Sequence, residues 1–177
     1  MLKRVAALCA VGFALPAVLL QAQDLFVLPG SGATNGEVQA FVTNPLTTFI
    51  TLDAGVGAFA LLPNSAASKF FIVASSNTNS VIATDRTFLA PVFVANLSAP
   101  ATSALITPDG KLLAVAAGNV HLFNTTTNEE LFAGGISQGN GINTFAIAAS
   151  LDSSTIFALG SGGNGTSQLT AINSEFL

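Results

Sequence analysis

Thr107-Pro108-Asp109-Gly110-Lys111-Leu112-Leu113-Ala114-Val115-Ala116-Ala117-Gly118-Asn119-Val120-His121-Leu122-Phe123-Asn124 decides how the rest of the chain is read. Two short apolar runs stand on either side of Gly118-Asn119, and Pro108-Asp109-Gly110 leads into the first. Asp-Gly and Gly-Asn supply the left-handed backbone positions that tight hairpins need. Apolar runs this short, bounded by Gly, Asn and Pro, read as strands. In the run 111–117, every position after Lys111 is apolar, successive and not alternate. Side chains along a strand point to opposite faces in turn, so this strand requires cover on both sides.

The same order recurs on both sides of it. Residues 60–63, 69–74 and 81–85 form one unit, 104–110, 111–116 and 120–124 a second, and 146–149, 155–160 and 169–173 a third. A half-unit at 25–28 and 38–41 precedes them. The units open at Ala60, Ala104 and Ala146, spacings of 44 and 42 residues. In each, the second strand is the most continuously apolar. The third alternates better, Val120 and Leu122 against His121 and Phe123, and a fourth is expected near Leu131-Phe132. A period in the low forties with three or four short strands per unit is WD40-like propeller spacing. A propeller also covers the second strand twice, because each blade packs between two neighbours. The chain is therefore expected to be all-β: a β-propeller-like array of about three and a half four-stranded blades over residues 24–177. Closed rings take about four to eight blades, so the ring is expected to be incomplete. It reads as part of a longer ring in preference to one half of a two-copy ring. In either case the open blade edge is a candidate for self-association.

The run from Thr107 to Ala116, followed by 120–125 and Thr127-Asn128, resembles the repeat of bacterial YVTN-type β-propellers. The resemblance implies a secreted or surface propeller of six to eight blades. It is loose over most of the chain and specific in the second unit. Where that family has Tyr-Val, this chain has Leu-Ala-Val or Phe-Ile-Val. The Asp that follows the third strand survives as Asp85, with Asn124 and Asn173 in the other units, and Asp152 takes the hairpin Asp position with no Gly after it.

Upstream, Lys3-Arg4, an apolar run over 5–20 and the small residues around Ala22 have the order of a cleavable secretory signal over residues 1–23. This predicts a secreted, periplasmic or cell-surface protein. Cys9, the sole cysteine, lies inside the apolar run behind Leu8, a poor place for lipid attachment, so the mature chain has no thiol or disulfide. After residue 23 no apolar stretch approaches the roughly 20 residues a spanning helix needs. Charged residues make up 8% of the chain, against about 25% in typical domains. Without Lys3 and Arg4, three basic residues face nine acidic ones, a net charge of −6 that argues against nucleic-acid binding.

No motif in the sequence assembles a catalytic, cofactor or metal site. His121 is the only histidine and reads as an outward residue of its strand, with no Cys beside it. Asp109 and Lys111 read as turn residues, Asp85-Arg86 as a turn with a surface ion pair, and Glu129-Glu130 as solvated. The glycine-rich run 160–165 has no Lys and no helix after it, so it reads as a loop and not as a phosphate cradle, as does Gly30-Ser31-Gly32. Asn96, Asn124 and Asn164 open glycosylation-type triplets by chance in an Asn/Thr-rich chain. The expectation is a non-enzymatic module without cofactor that binds or scaffolds a protein or carbohydrate partner. The alternative is a piece of a lactonase- or lyase-like propeller, whose site groups would converge on the ring axis.

Overall fold

The computed structural model describes residues 24–27, 37–43, 46–53, 57–66, 68–75, 79–85, 92–139 and 141–175, with side chains described from Gly57 onward apart from Phe93. The expected leader, the Gly30–Gly32 loop and Arg86 lie outside the described residues. Within them the chain is all-β. Four antiparallel meanders follow one another: β1 (Asp24–Val27), β2 (Glu37–Thr43) and β3 (Leu46–Asp53); β4 (Ala58–Pro63), β5 (Lys69–Ala74), β6 (Ser80–Asp85) and β7 (Val92–Asn96); β8 (Ser103–Ile106), β9 (Leu112–Ala117) and β10 (Asn119–Asn124); β11 (Ile142–Ala149), β12 (Thr155–Gly162) and β13 (Ser167–Asn173). The half-unit gains a third strand, β3, which the sequence pattern does not single out. No helix among the described residues is long and apolar enough to cross a membrane.

One hairpin recurs in three of the sheets. Asn64, Thr107 and Ser150 each donate their N–H to the carbonyl five residues on, at Lys69, Leu112 and Thr155, all at 2.9 Å. Each also accepts the return N–H on its side chain: Lys69 N to Asn64 Oδ1 at 3.1 Å, Leu112 N to Thr107 Oγ1 at 3.1 Å, Thr155 N to Ser150 Oγ at 2.9 Å. Positions 64, 107 and 150 are evenly spaced, so the period is 43 residues both times. This corrects the sequence alignment, which matched Lys69 to Lys111; the ladder matches Lys69 to Leu112 and Thr155. A one-residue slip exchanges the two faces of a strand, so the correction decides which side chains face which neighbour.

On β9, Leu113, Val115 and Ala117 pack with Phe123 against Phe71, Val73, Val81 and Ala83 of the second sheet. Leu112, Ala114, Val120 and Leu122 face the other way, onto Ile156 and Ala158 of the fourth. The third sheet is thus covered on both faces, as its continuous apolar pattern requires. Each fully buried Phe, Ile, Leu or Val contributes about 1.5–3 kcal/mol.

Three expectations fail. β12 is buried on one face only: Ile156 and Ala158 are inside, Phe157 and Leu159 outside. β10 does not alternate, since Val120, His121, Leu122 and Phe123 are all at 0% exposure; a sheet between two others has no outward face. No ladder strand forms near Leu131-Phe132, where the chain pairs with β10 through the isolated bridges Phe123↔Glu130 and Val120↔Ile136. A turn closed by Gly135 N donating to Phe132 O, at 2.8 Å, lifts the segment away between them. In addition, residues 160–162 belong to β12, and only 163–166 form the hairpin turn, where Gly162 N donates to Thr166 O.

Candidate functional site

The one histidine lies buried on the side of the third sheet that faces the second. β10 fixes the side of the sheet on which His121 lies, with Phe123 two residues on and stacked beside it at 6.4 Å between ring centroids. After β10, Asn124 Oδ1 accepts the N–H groups of Thr126 (2.8 Å) and Thr127 (3.1 Å), and Asn128 takes a left-handed φ of 65°. This turn brings the chain back alongside β10 so that Glu130 bridges to Phe123. Paired residues of an antiparallel bridge share a face, which places Glu130 on the His121 side. Glu130 Oε1 stands 2.6 Å from His121 Nδ1, with Glu130's side chain 17% exposed.

The other ring nitrogen meets the loop that follows β7. Leu97 is buried at 7% and its N–H reaches Asn79 O, anchoring that loop. The next residue, Ser98, is exposed and puts Oγ 3.1 Å from His121 Nε2 and 2.7 Å from Ala117 O. A carboxylate only accepts, so the short contact fixes a proton on Nδ1. In the neutral imidazole, Nε2 then presents its lone pair to Ser98 Oγ. Ser98 Oγ donates its hydrogen to the Ala117 carbonyl and stands beside Nε2, so serine, histidine and glutamate are linked by contacts at each ring nitrogen.

Sequence inspection misses this grouping. It takes His121 as outward and Glu129-Glu130 as solvated; Glu129 is exposed, but His121 is fully buried and Glu130 is its partner. The three residues come from the loop after β7, from β10, and from the bridge that returns beside β10. The one available signal is a His between Val120 and Leu122 in a strand that has to be covered on both sides.

At the hairpin end of the third and fourth sheets lies a polar cleft of about 410 Å³, lined by Asp109, Lys111, Asn124, Asp152, Ser153 and Glu175 among others. The two Asp residues play the same part in successive units. Thr107 Oγ1 donates to Asp109 Oδ1 at 2.7 Å, and Ser150 Oγ to Asp152 Oδ1 at 2.6 Å. Burial pushes Asp109 up, but the Thr107 hydroxyl and the N–H and ammonium of Lys111 bring it below the ordinary carboxylate range. Hydrogen bonds from the Ser150 hydroxyl and then from Ser154 lower Asp152 to about 2. Gly110, with φ 76°, is matched by Ser153, with φ 63°. Ser153 Oγ accepts Asp109 N at 2.9 Å, tying one hairpin to the next. Among the described residues no three His, Cys, Asp or Glu side chains form a group able to hold a metal ion.

The third feature is the outer face of the fourth sheet. Phe157 is 38% exposed, Leu159 36% and Leu169 68%. Leu159 pairs with Leu169, and Phe157 with Ala171 and Ala148, so these side chains share one face.

No family model and no curated protein matches the chain. Among solved structures it is similar to Kuenenia stuttgartiensis hydrazine synthase, with a TM-score of 0.62 and 14% identity, over 86% of this chain and 43% of that one. The chain thus spans less than half the length of the solved chain it matches. At this identity the likeness concerns the fold. In all, 507 solved chains match, so the architecture is widely shared and does not select an activity.

Proposed function

We propose that this chain is a propeller-like arc of radially stacked sheets, working outside the cytoplasm as a binding or scaffolding module, and that the outer face of its fourth sheet seats a second copy of the chain. The repeated register carries this reading. With the ladders matched, Phe71 and Val73 of β5 correspond to Ala114 and Ala116 of β9 and to Phe157 and Leu159 of β12. The first pair covers the third sheet and Ala114 packs on the fourth. The last pair is the same face with nothing of this chain upon it among the described residues.

A further observation supports it. The first strands β4, β8 and β11 lie beside one another in succession, as strands do when they line the axis of a propeller. The sheet the face receives is therefore of the kind it already covers within this chain. The polar cleft at the hairpin ends is open beside this assembly and is where a protein or carbohydrate partner would find carboxylates, a lysine and hydroxyls together.

Sedimentation and light scattering on residues 24–177 test the assembly. A defined dimer is expected, and Leu159→Glu with Phe157→Ser should yield folded monomers. A monodisperse wild-type monomer at tens of micromolar, or a dimer that those substitutions leave intact, overturns the reading.

A further inference from the structure

We infer that Asn164 is a self-modification site: the backbone nitrogen of Gly165 displaces its side-chain amide with help from Thr166, and water turns the product into aspartate and isoaspartate. This goes beyond the assembly reading and does not depend on it. The residues lie in the turn between β12 and β13, where Gly162 N donates to Thr166 O at 2.9 Å and Gly165 N to Gly162 O at 3.0 Å. Asn164, Gly165 and Thr166 are all exposed.

Attack on an amide carbon needs a nucleophile held close, room to approach, and donors for the oxygen that becomes charged. Chain connectivity supplies the first. The Gly165 nitrogen and Asn164 Cγ close a five-membered ring with the Cβ, Cα and carbonyl carbon of Asn164, so rotations within one residue bring them together. Gly165 supplies the second: it has no Cβ, and beyond its chain neighbours nothing would stand within 4 Å of one. The hydrogen bond of its N–H lies in an exposed turn at a hairpin end, where local opening costs little. Thr166 supplies the third. Its hydroxyl donates to Asn164 Oδ1 at 2.6 Å, and its N–H donates to the same oxygen at 3.1 Å. Two donors thus converge on the atom that takes up the carbonyl electron pair. They also fix that atom as the oxygen of the amide, which turns Nδ2 away from Thr166.

The step balances with water as the one co-reactant. A solvent base takes the Gly165 N–H proton as the nitrogen bonds to Cγ, and the carbonyl pair moves onto Oδ1 beside the two donors. As the C=O re-forms, the Cγ–Nδ2 bond breaks and Nδ2 leaves with a proton from water as ammonia. Water then opens the cyclic imide. Addition at Cγ gives aspartate. Addition at the main-chain carbonyl of Asn164 gives isoaspartate, which carries the backbone through Cβ and Cγ and lengthens the turn by one carbon. Either product adds a carboxylate to the hairpin.

Incubation of residues 24–177 at neutral and mildly alkaline pH, followed by peptide mapping and isoaspartyl methyltransferase labelling, tests the inference. The peptide containing Asn164 should gain an acid and an isoaspartyl label, faster at the higher pH. Mapping separates it from the other Asn-Gly pairs, at 35–36 and 140–141. Thr166→Val keeps the N–H and the side-chain shape but removes the hydroxyl. Conversion should then slow by about tenfold, less than the loss of a buried oxyanion donor. Thr166→Ser should restore the rate. A hydroxyl that only stiffened the turn would give the opposite result, with Thr166→Val converting faster than wild type. Thr166 is exposed, so both variants should melt as the wild type does. Asn164 that stays fully amidated over weeks, or a Thr166→Val chain that converts as fast as wild type or faster, overturns the inference.

Discussion

Asp152 does at the third hairpin what Asp109 does at the second. It gathers the Ser150 hydroxyl at 2.6 Å and the Ser154 N–H and hydroxyl at 3.0 and 2.9 Å. These donors favour the charged carboxylate, which is why its pKa falls from 3.8 to about 2. A pKa lowered on folding contributes stability that is present above the unfolded value and lost as pH falls through the folded one. Asp152→Asn should therefore melt lower than wild type at neutral pH, and the gap should narrow between about pH 4 and pH 2. Thermal melts across that range check this; a gap constant with pH would contradict it. Gly110 makes the complementary point. Its φ of 76° is left-handed, and a Cβ there would stand 2.6 Å from Ser65 Cβ in the neighbouring sheet. Gly110→Ala meets both backbone strain and a collision, and should lose about 2–3 kcal/mol in denaturant titration. Ser153 tolerates a similar φ because its Oγ holds Asp109 N, a contact Gly cannot make.

Hairpins and turns join the sheets at the scale of elements. Lys69 heads β5 and sends Nζ across to the third sheet, donating to Thr125 O at 2.9 Å, Thr126 O at 3.0 Å and Asn128 Oδ1 at 2.9 Å. Its ammonium also stands 6.0 Å from the Phe71 ring. Three donors with three acceptors, half withdrawn from water, make this worth more than a surface ion pair such as Lys111–Asp109 at 3.4 Å. Lys69→Met keeps the stem and removes the donors, and should cost about 1–2 kcal/mol in urea unfolding. Lys111→Met should stay within about 0.5 kcal/mol. The matched spacing of hairpins is also legible only at this scale. Apolar runs alone place Lys69 and Lys111 42 residues apart and Lys111 and Thr155 44 apart, because KFFIVA and KLLAVA align by their lysines. Hydrogen bonding ignores that likeness: four loop residues separate pivot from partner in every unit, and the lysine falls inside the loop in one unit and on the strand in the other.

At the scale of the whole molecule, the second, third and fourth sheets rely on one another for cover. Continuous burial of β5 and β9 against one-sided burial of β12 follows from position in the stack, not from composition, since Phe157 and Leu159 are as apolar as Phe71 and Val73. If a second copy covers that face, dimer formation adds to stability by mass action. The melting temperature should then rise with protein concentration, and the Leu159→Glu form should lose that dependence. A chain whose melting temperature is flat over a hundredfold range of concentration would speak against the dimer.

The order of short apolar runs and turn residues determined, without coordinates, that the chain is all-β and repeats. It also marked residues 69–74 and 111–117 as strands needing two neighbours, because backbone alternation leaves no other way to bury successive side chains. What composition and spacing did not contain is which residues meet. Ser98 and His121 are 23 positions apart, and His121 and Glu130 are nine. Their convergence depends on a bridge register and on the stacking of one sheet over another. Long-range register is set by the sum of packing in the folded state, and so the grouping of serine, histidine and glutamate exists only once the sheets are assembled.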